Sequence, residues 1–231
     1  MSRENEFVTL QSTLGIQFKK QKLLRLALIH RSYLNEHGEE KENNERLEFL
    51  GDAVIELVVT EYLFEHYPEK PEGELTILRS ALVKKDHLAE IARRLQLGSY
   101  ILLSKGEEKS GGREKNYLLA NAFEALIGAM YLDAGIKKTA HFIEMQVLSG
   151  LDIILTQNLH IDAKSLFQER AQSIAETTPE YKVLEESGPD HNKSFVMGVY
   201  LDQDLIAKGQ GPSKQQAEQA AARNALQVKK W

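Results

Sequence analysis

The segment Asn44-Glu45-Arg46-Leu47-Glu48-Phe49-Leu50-Gly51-Asp52-Ala53-Val54 sets three carboxylates into an apolar helical pattern. Glu45 and Glu48 are three apart and Glu48 and Asp52 four apart, so on a helix they stack on one face. Leu47, Leu50, Val54, Leu57 and Val58 form the adjoining stripe, which puts the acids beside a core. Like charges stacked there repel, and a half-buried carboxylate without a partner is costly. The pattern asks for a compensating cation, and a hard ion that takes oxygen ligands, such as Mg²⁺, meets the need.

A second stretch, Ala120-Asn121-Ala122-Phe123-Glu124-Ala125-Leu126-Ile127-Gly128-Ala129, puts Asn121 and Glu124 on one helical face as well. If the two helices pack, Glu48, Asp52, Asn121 and Glu124 meet. Three carboxylates and one amide oxygen suit Mg²⁺, with Mn²⁺ as a substitute. Such an ion would neutralise the repulsion and activate a bound water. Helical spacing alone is equally compatible with ordinary solvated acids.

The first two-thirds of the chain read as helical, with periodic apolar residues in 7–14, 23–29, 45–67, 75–83, 88–95, 117–132 and 139–155. Pro68 and Pro71 end the long acidic helix, Gly111-Gly112 marks a loop, and Gly135 stands where a C-terminal cap is expected. The character changes near residues 158–162. A helical segment at 163–176 precedes strand-like runs at 181–185, 194–200 and 205–209, and a last helix at 213–229. The expected fold is multidomain: an all-α unit at 1–156, a linker at 157–161 and a small α+β unit at 162–231. In the second unit, the order α-β-β-β-α places two helices on one face of an antiparallel sheet.

Residues 44–54 and 120–128 together resemble the signature of the ribonuclease III family. The stretches His30-Arg31-Ser32-Tyr33-Leu34-Asn35-Glu36, 73–83 and 105–113 resemble other parts of its endonuclease domain. The resemblance implies that Glu48, Asp52, Asn121 and Glu124 form a metal-binding cluster, with Asp52 and Glu124 catalytic. It implies substrate roles for Glu45 and Glu72, and a place for Phe49 across a homodimer interface. One position departs from the family pattern: Asn121 stands where Asp is usual. An amide keeps one ligating oxygen and lacks the charge. Three readings are open there: a natural variant that retains activity, a partial or full loss of catalysis, or an engineered change that traps substrate. His30 reads as a helix-end histidine with a structural hydrogen bond rather than a general base.

Residues 162–229 resemble a double-stranded RNA-binding domain. In Lys164-Ser165-Leu166-Phe167-Gln168-Glu169-Arg170-Ala171-Gln172, the side chains of Ser165, Gln168 and Gln172 share one face and suit the shallow minor groove of A-form RNA. Gly188-Pro189-Asp190-His191-Asn192-Lys193 resembles the loop that enters a second minor groove, with His191 as the contact. Ser213 is a good N-cap, and Lys214 follows at a helix start that favours phosphate. Gln215 stands where the family often has a second Lys, which predicts a shallower salt dependence.

The 231 residues include no cysteine, which excludes disulfides and Cys-based zinc sites. No apolar run approaches a membrane span and no secretory h-region is visible, so a cytoplasmic protein is expected. The formal net charge of −5 taken alone argues against nucleic-acid binding, but the motifs outweigh it. The resemblance implies a metal-dependent, double-strand-specific endoribonuclease, acting as a homodimer on precursor ribosomal RNA and structured messenger RNA. Two rivals stand beside it. One is an RNA binder whose metal site is impaired by Asn121. The other is a helical metal-dependent phosphohydrolase with a different substrate.

Overall fold

The computed structural model describes residues 3–151, 155, 163–189 and 193–231. The chain divides into two compact units, Met1–His160 and Ile161–Trp231. The expected linker at 157–161 lies outside the described residues.

The first unit is helical: α1 (Arg3–Leu14), α2 (Gln21–Ala27), α3 (Glu45–His66), α4 (Glu72–Val83), α5 (Lys85–Arg94), α6 (Lys105–Lys109), α7 (Asn116–Ala134) and α8 (Ile136–Gln146). Helix α7 is its axis. Twelve of its residues, Leu118–Ala120 and Ala122–Met130, are buried, so it is apolar nearly all round, as a helix enclosed by others must be. Helices α2, α3, α5 and α8 pack around it. Tyr67 precedes Pro68 and leaves the helical region (φ −130°), which ends α3. Gly135 at φ +78° ends α7 in a conformation that favours glycine.

Two expectations need correcting. Leu57 is exposed rather than part of the core; α3 instead buries Leu47, Gly51, Val54, Ile55, Val58, Val59 and Leu63. Leu57 falls just outside that arc and joins Phe49 and Phe64 on the outer face. The run 139–155 is not one helix, because α8 stops at Gln146 and a 3-10 turn follows at Leu148–Gly150. There, a Cβ on Gly150 would meet the His87 ring at 2.9 Å, so a side chain at that position would require the ring to shift. Helix α6 was also not legible; it is one short turn, capped by Ser104 Oγ, which accepts from Glu107 N at 3.2 Å.

The second unit contains α9 (Ala163–Ala175), β1 (Glu180–Ser187), β2 (Ser194–Leu201), β3 (Asp204–Gly211) and α10 (Lys214–Lys229). The sheet is antiparallel in the order β1-β2-β3. Phe195, Met197, Val199 and Leu201 alternate along β2 and are buried on one face. Against them pack Ala163, Phe167 and Ala171 of α9 and Ala217, Ala221, Ala222 and Ala225 of α10. Both helices therefore lie on the same side of the sheet. The alanines of α10 permit close approach: a Cβ on Gly209 would lie 2.0 Å from Ala221 N.

Candidate active site and nucleic-acid interface

Two glycines bring the acidic helices together. A Cβ on Gly51 of α3 would lie 1.7 Å from the Glu124 carbonyl oxygen, and one on Gly128 of α7 would lie 2.2 Å from the Leu47 carbonyl oxygen. Backbone meets backbone at this crossing, which only glycine allows. Gly51 lies between Glu48 and Asp52, and Gly128 lies one turn beyond Glu124. The close approach therefore sets the carboxylates of α3 beside those of α7.

Glu124 is 6% exposed, in a helix otherwise lined with apolar side chains. Burial pushes its carboxyl up to about 7, and the negative charges of Asp52 and Glu48 push the same way, while Lys85 opposes them. Glu48 is half-buried, and its carboxyl is also raised, first by burial and then by Glu45 and Asp52. Lys85 and a hydrogen bond from Asn121 counter that rise. Asp52 is at the exposed edge. Among the described residues, no three acidic, His or Cys side chains have the spacing that holds one ion. Glu48, Asp52 and Glu124 share a neighbourhood, not a closed ligand shell.

Asn121 has a split role. From the neighbouring helix its side chain favours the charged form of Glu48. Its Oδ1 is buried and has no hydrogen-bond partner within the protein. An unpaired buried carbonyl oxygen costs about 1–3 kcal/mol. Beside three carboxylates it is a hard oxygen donor awaiting a positive partner. The donor set and this orphaned atom fit Mg²⁺ or Mn²⁺.

The remaining residues named from sequence are spread around this centre. Glu45 is exposed, within reach of Glu48, and pairs loosely with Arg31 at 3.6 Å. Glu72 starts α4 and accepts from the Thr76 hydroxyl at 2.9 Å; it is not among the charges that most affect Glu48 or Glu124. Phe49 is 81% exposed. His30 caps the 3-10 turn Arg31–Asn35, its Nδ1 accepting from Ser32 N at 3.2 Å, as a structural histidine would. Lys85 was not singled out from sequence. It opens α5 and has no local partner pattern, so sequence spacing does not connect it to Glu48 or Glu124.

In the second unit, Ser165, Gln168 and Gln172 are exposed on α9, opposite buried Ala163, Phe167 and Ala171. Ser213 caps α10, its Oγ accepting from Gln216 N at 3.3 Å. Lys214 is exposed at the first turn, with its Nζ 5.7 Å from the Phe195 ring centre. His191 lies outside the described residues.

Known proteins match in both units. Residues 20–151 match the model described as Ribonuclease-III-like, and residues 163–229 match the double-stranded RNA binding motif. The chain belongs to the ribonuclease III family. A Ribonuclease 3 of Geobacillus kaustophilus is 46% identical over 227 residues, covering 98% of this chain and 92% of that protein. A Ribonuclease 3 of Bacillus cereus is 47% identical over 221 residues, covering 95% and 90%. The solved nuclease domain of ribonuclease III from Campylobacter jejuni is 45% identical with a TM-score of 0.55, covering 59% of this chain and 95% of that one. That structure is described as having a region involved in dimer formation. Family membership makes the chain an endoribonuclease, so the α3–α7 crossing is the place to look for its chemistry. No helix among the described residues is long and apolar enough to cross a membrane.

Proposed function

We propose that the chain hydrolyses phosphodiester bonds in double-stranded RNA with a divalent cation, leaving 5′-phosphate and 3′-hydroxyl ends with short 3′ overhangs. Precursor ribosomal RNA and structured messenger RNA are the substrates this reading implies. One observation carries it: a buried Glu124, flanked by Glu48, Asp52 and the unpartnered Asn121 Oδ1, at a helix crossing that only glycines permit. Glu48, Asp52, Asn121 and Glu124 would hold Mg²⁺ or Mn²⁺. A cation bound there supplies Lewis acidity, easing deprotonation of a water and offsetting charge on the phosphate. Buried in α7, Glu124 has little freedom to turn away. As an amide, Asn121 accepts no proton.

The second unit supplies shape recognition. Ser165, Gln168 and Gln172 would meet one minor groove, and His191 another, with Lys214 on a phosphate at the Ser213-capped helix start. Phe49 stands beside a groove lined by Leu23, Leu26, Leu50 and Leu132. A two-fold pairing would seat each Phe49 against its partner and give two nuclease sites, one for each strand.

The test is cleavage of a long, perfectly paired RNA in Mg²⁺, with binding followed in Ca²⁺. Cleavage that is abolished in E124Q while binding persists supports the reading. Asn121 favours one alternative, an RNA binder with an impaired site. Binding without cleavage, restored by N121D, would establish that alternative instead.

A further inference from the structure

The RNA contacts proposed above lie in the second unit, yet a phosphate cut at the α3–α7 crossing must approach the acids of the first. Glu45, Glu48 and Asp52 share one face of α3, so an approaching phosphate meets like charge there. A cation at the rim of that face would offset it. Arg31 Nη1 lies 3.6 Å from Glu45 Oε1, and the two side chains are 74% and 53% exposed. That distance is too long for a hydrogen bond, and a pair so open to solvent contributes little to stability. The guanidinium therefore sits beside the acids with a partner it can leave at small cost.

The backbone beneath Arg31 is fixed, by contrast. His30 N donates to Leu102 O at 3.1 Å, His30 Nδ1 accepts from Ser32 N at 3.2 Å, and Ser32 Oγ accepts from Ser104 N at 3.1 Å. Two residues on, Tyr33 is buried, its ring stacked on His37 at 3.7 Å. The start of α3 is tied down as well. Glu45 N donates to Asn43 Oδ1 at 3.0 Å, and the buried Asn44 donates through Nδ2 to Ala27 O at 3.3 Å. Both chain neighbours of Arg31 are thus anchored while its own side chain projects into solvent. We propose that Arg31 is a substrate-binding residue of the nuclease unit: it exchanges Glu45 for a backbone phosphate of the bound RNA. This rests on the active-site reading given above. The planar guanidinium matches two phosphate oxygens, and a contact to phosphate adds affinity without sequence preference.

Binding of a long paired RNA in Ca²⁺ across a series of salt concentrations, on the full chain, tests this, with cleavage in Mg²⁺ followed in parallel. Arg31→Gln should make the dependence of log affinity on log salt shallower by about one charge, and should weaken binding roughly 3- to 10-fold at fixed moderate salt. In cleavage it should raise KM and leave kcat within about threefold of the parent. Arg31→Lys keeps the charge, so its slope should match the parent while its affinity falls about twofold with the loss of the planar fork. Lys138→Gln, which removes an equal charge from an exposed position on α8, should leave the slope unchanged. Each variant should melt within about 2 °C of the parent, since only exposed charge is lost. A parent slope in Arg31→Gln overturns the proposal, as does an equal loss of slope in Lys138→Gln. A melt of Arg31→Gln lowered by more than about 5 °C would make Arg31 a structural strut and overturn it too. Cleavage that persists in Glu124→Gln would overturn the active-site reading instead, and the binding slope would still decide whether Arg31 holds RNA.

Discussion

Replacing Gly51 with Ala tests whether the α3–α7 crossing makes the site. The added methyl would sit 1.7 Å from the Glu124 carbonyl oxygen, 2.6 Å from its carbonyl carbon and 2.9 Å from Gly128 N. All three are backbone atoms, so no rotamer change relieves the clash. A relaxed carbon–oxygen contact is about 3.3 Å, so the helices must part by about 1.6 Å. Overpacking of this kind costs about 3 kcal/mol, at the upper end of the usual range. In a unit of this size that is a fall of about 6–12 °C in Tm. The separation also moves Glu48 and Asp52 away from Glu124. A displacement near 1 Å at reacting groups costs about 100-fold in rate. The assay is cleavage of paired RNA per folded molecule, at a temperature well below the variant's melt. Gly73→Ala is the control: its Cβ meets nothing within 4 Å, and alanine at that helix position gains up to about 1 kcal/mol. A G51A protein that melts within about 2 °C of the parent and cleaves at the parent rate would refute the reasoning.

Four other outcomes are expected. Glu124 has its value raised to about 7, so it binds a proton more tightly when folded than when unfolded, where Glu lies near 4.3. Its favourable contribution is complete below about pH 4.3 and is lost as pH rises through 7, a swing of up to about 4 kcal/mol. In EDTA at pH 8, E124Q should therefore melt several degrees above the parent, and the gap should close near pH 4.5; equal melts at pH 8 would contradict a buried, destabilised carboxylate. In the second unit, S213A should cost about 1 kcal/mol through the lost cap, and K214Q should make the salt dependence of RNA binding shallower by about one charge; an unchanged slope would take Lys214 off the phosphates. Phe49→Asp should give a monomer by light scattering, and a dimer of full mass would remove Phe49 from the interface.

Much of this fold is written in local periodicity. The apolar repeat in α3 and α7 set their positions to within a few residues, and alternation in β2 exposed its buried face. Legibility fails where an element is too short to show a period, as at α6, or where a distant contact ends it. The run beyond Gln146 keeps its apolar repeat, yet α8 stops there and a 3-10 turn brings Gly150 against the His87 ring of α5. Leu57 fails for another reason: the buried arc of α3 is only as wide as its neighbours make it, and a leucine at its margin can fall outside.

The site divides along the same line. Spacing shows which acids share a face of one helix, and says nothing of the distance between faces on two helices. Here that distance is set by Gly51 and Gly128, and an isolated glycine within a helical pattern reads from sequence only as a propensity cost. Their function appears when the crossing is seen, where any side chain would hold the acids apart. The charge balance is equally non-local. Lys85 looks like one more solvated lysine beside Lys84, and Asn121 looks like a lost charge. In the folded chain the first brings a positive charge to the cluster, and the second presents an unpaired oxygen beside it. Fewer negative charges weaken a divalent ion's hold, so restoring the carboxylate with N121D should tighten ion binding at the proposed site.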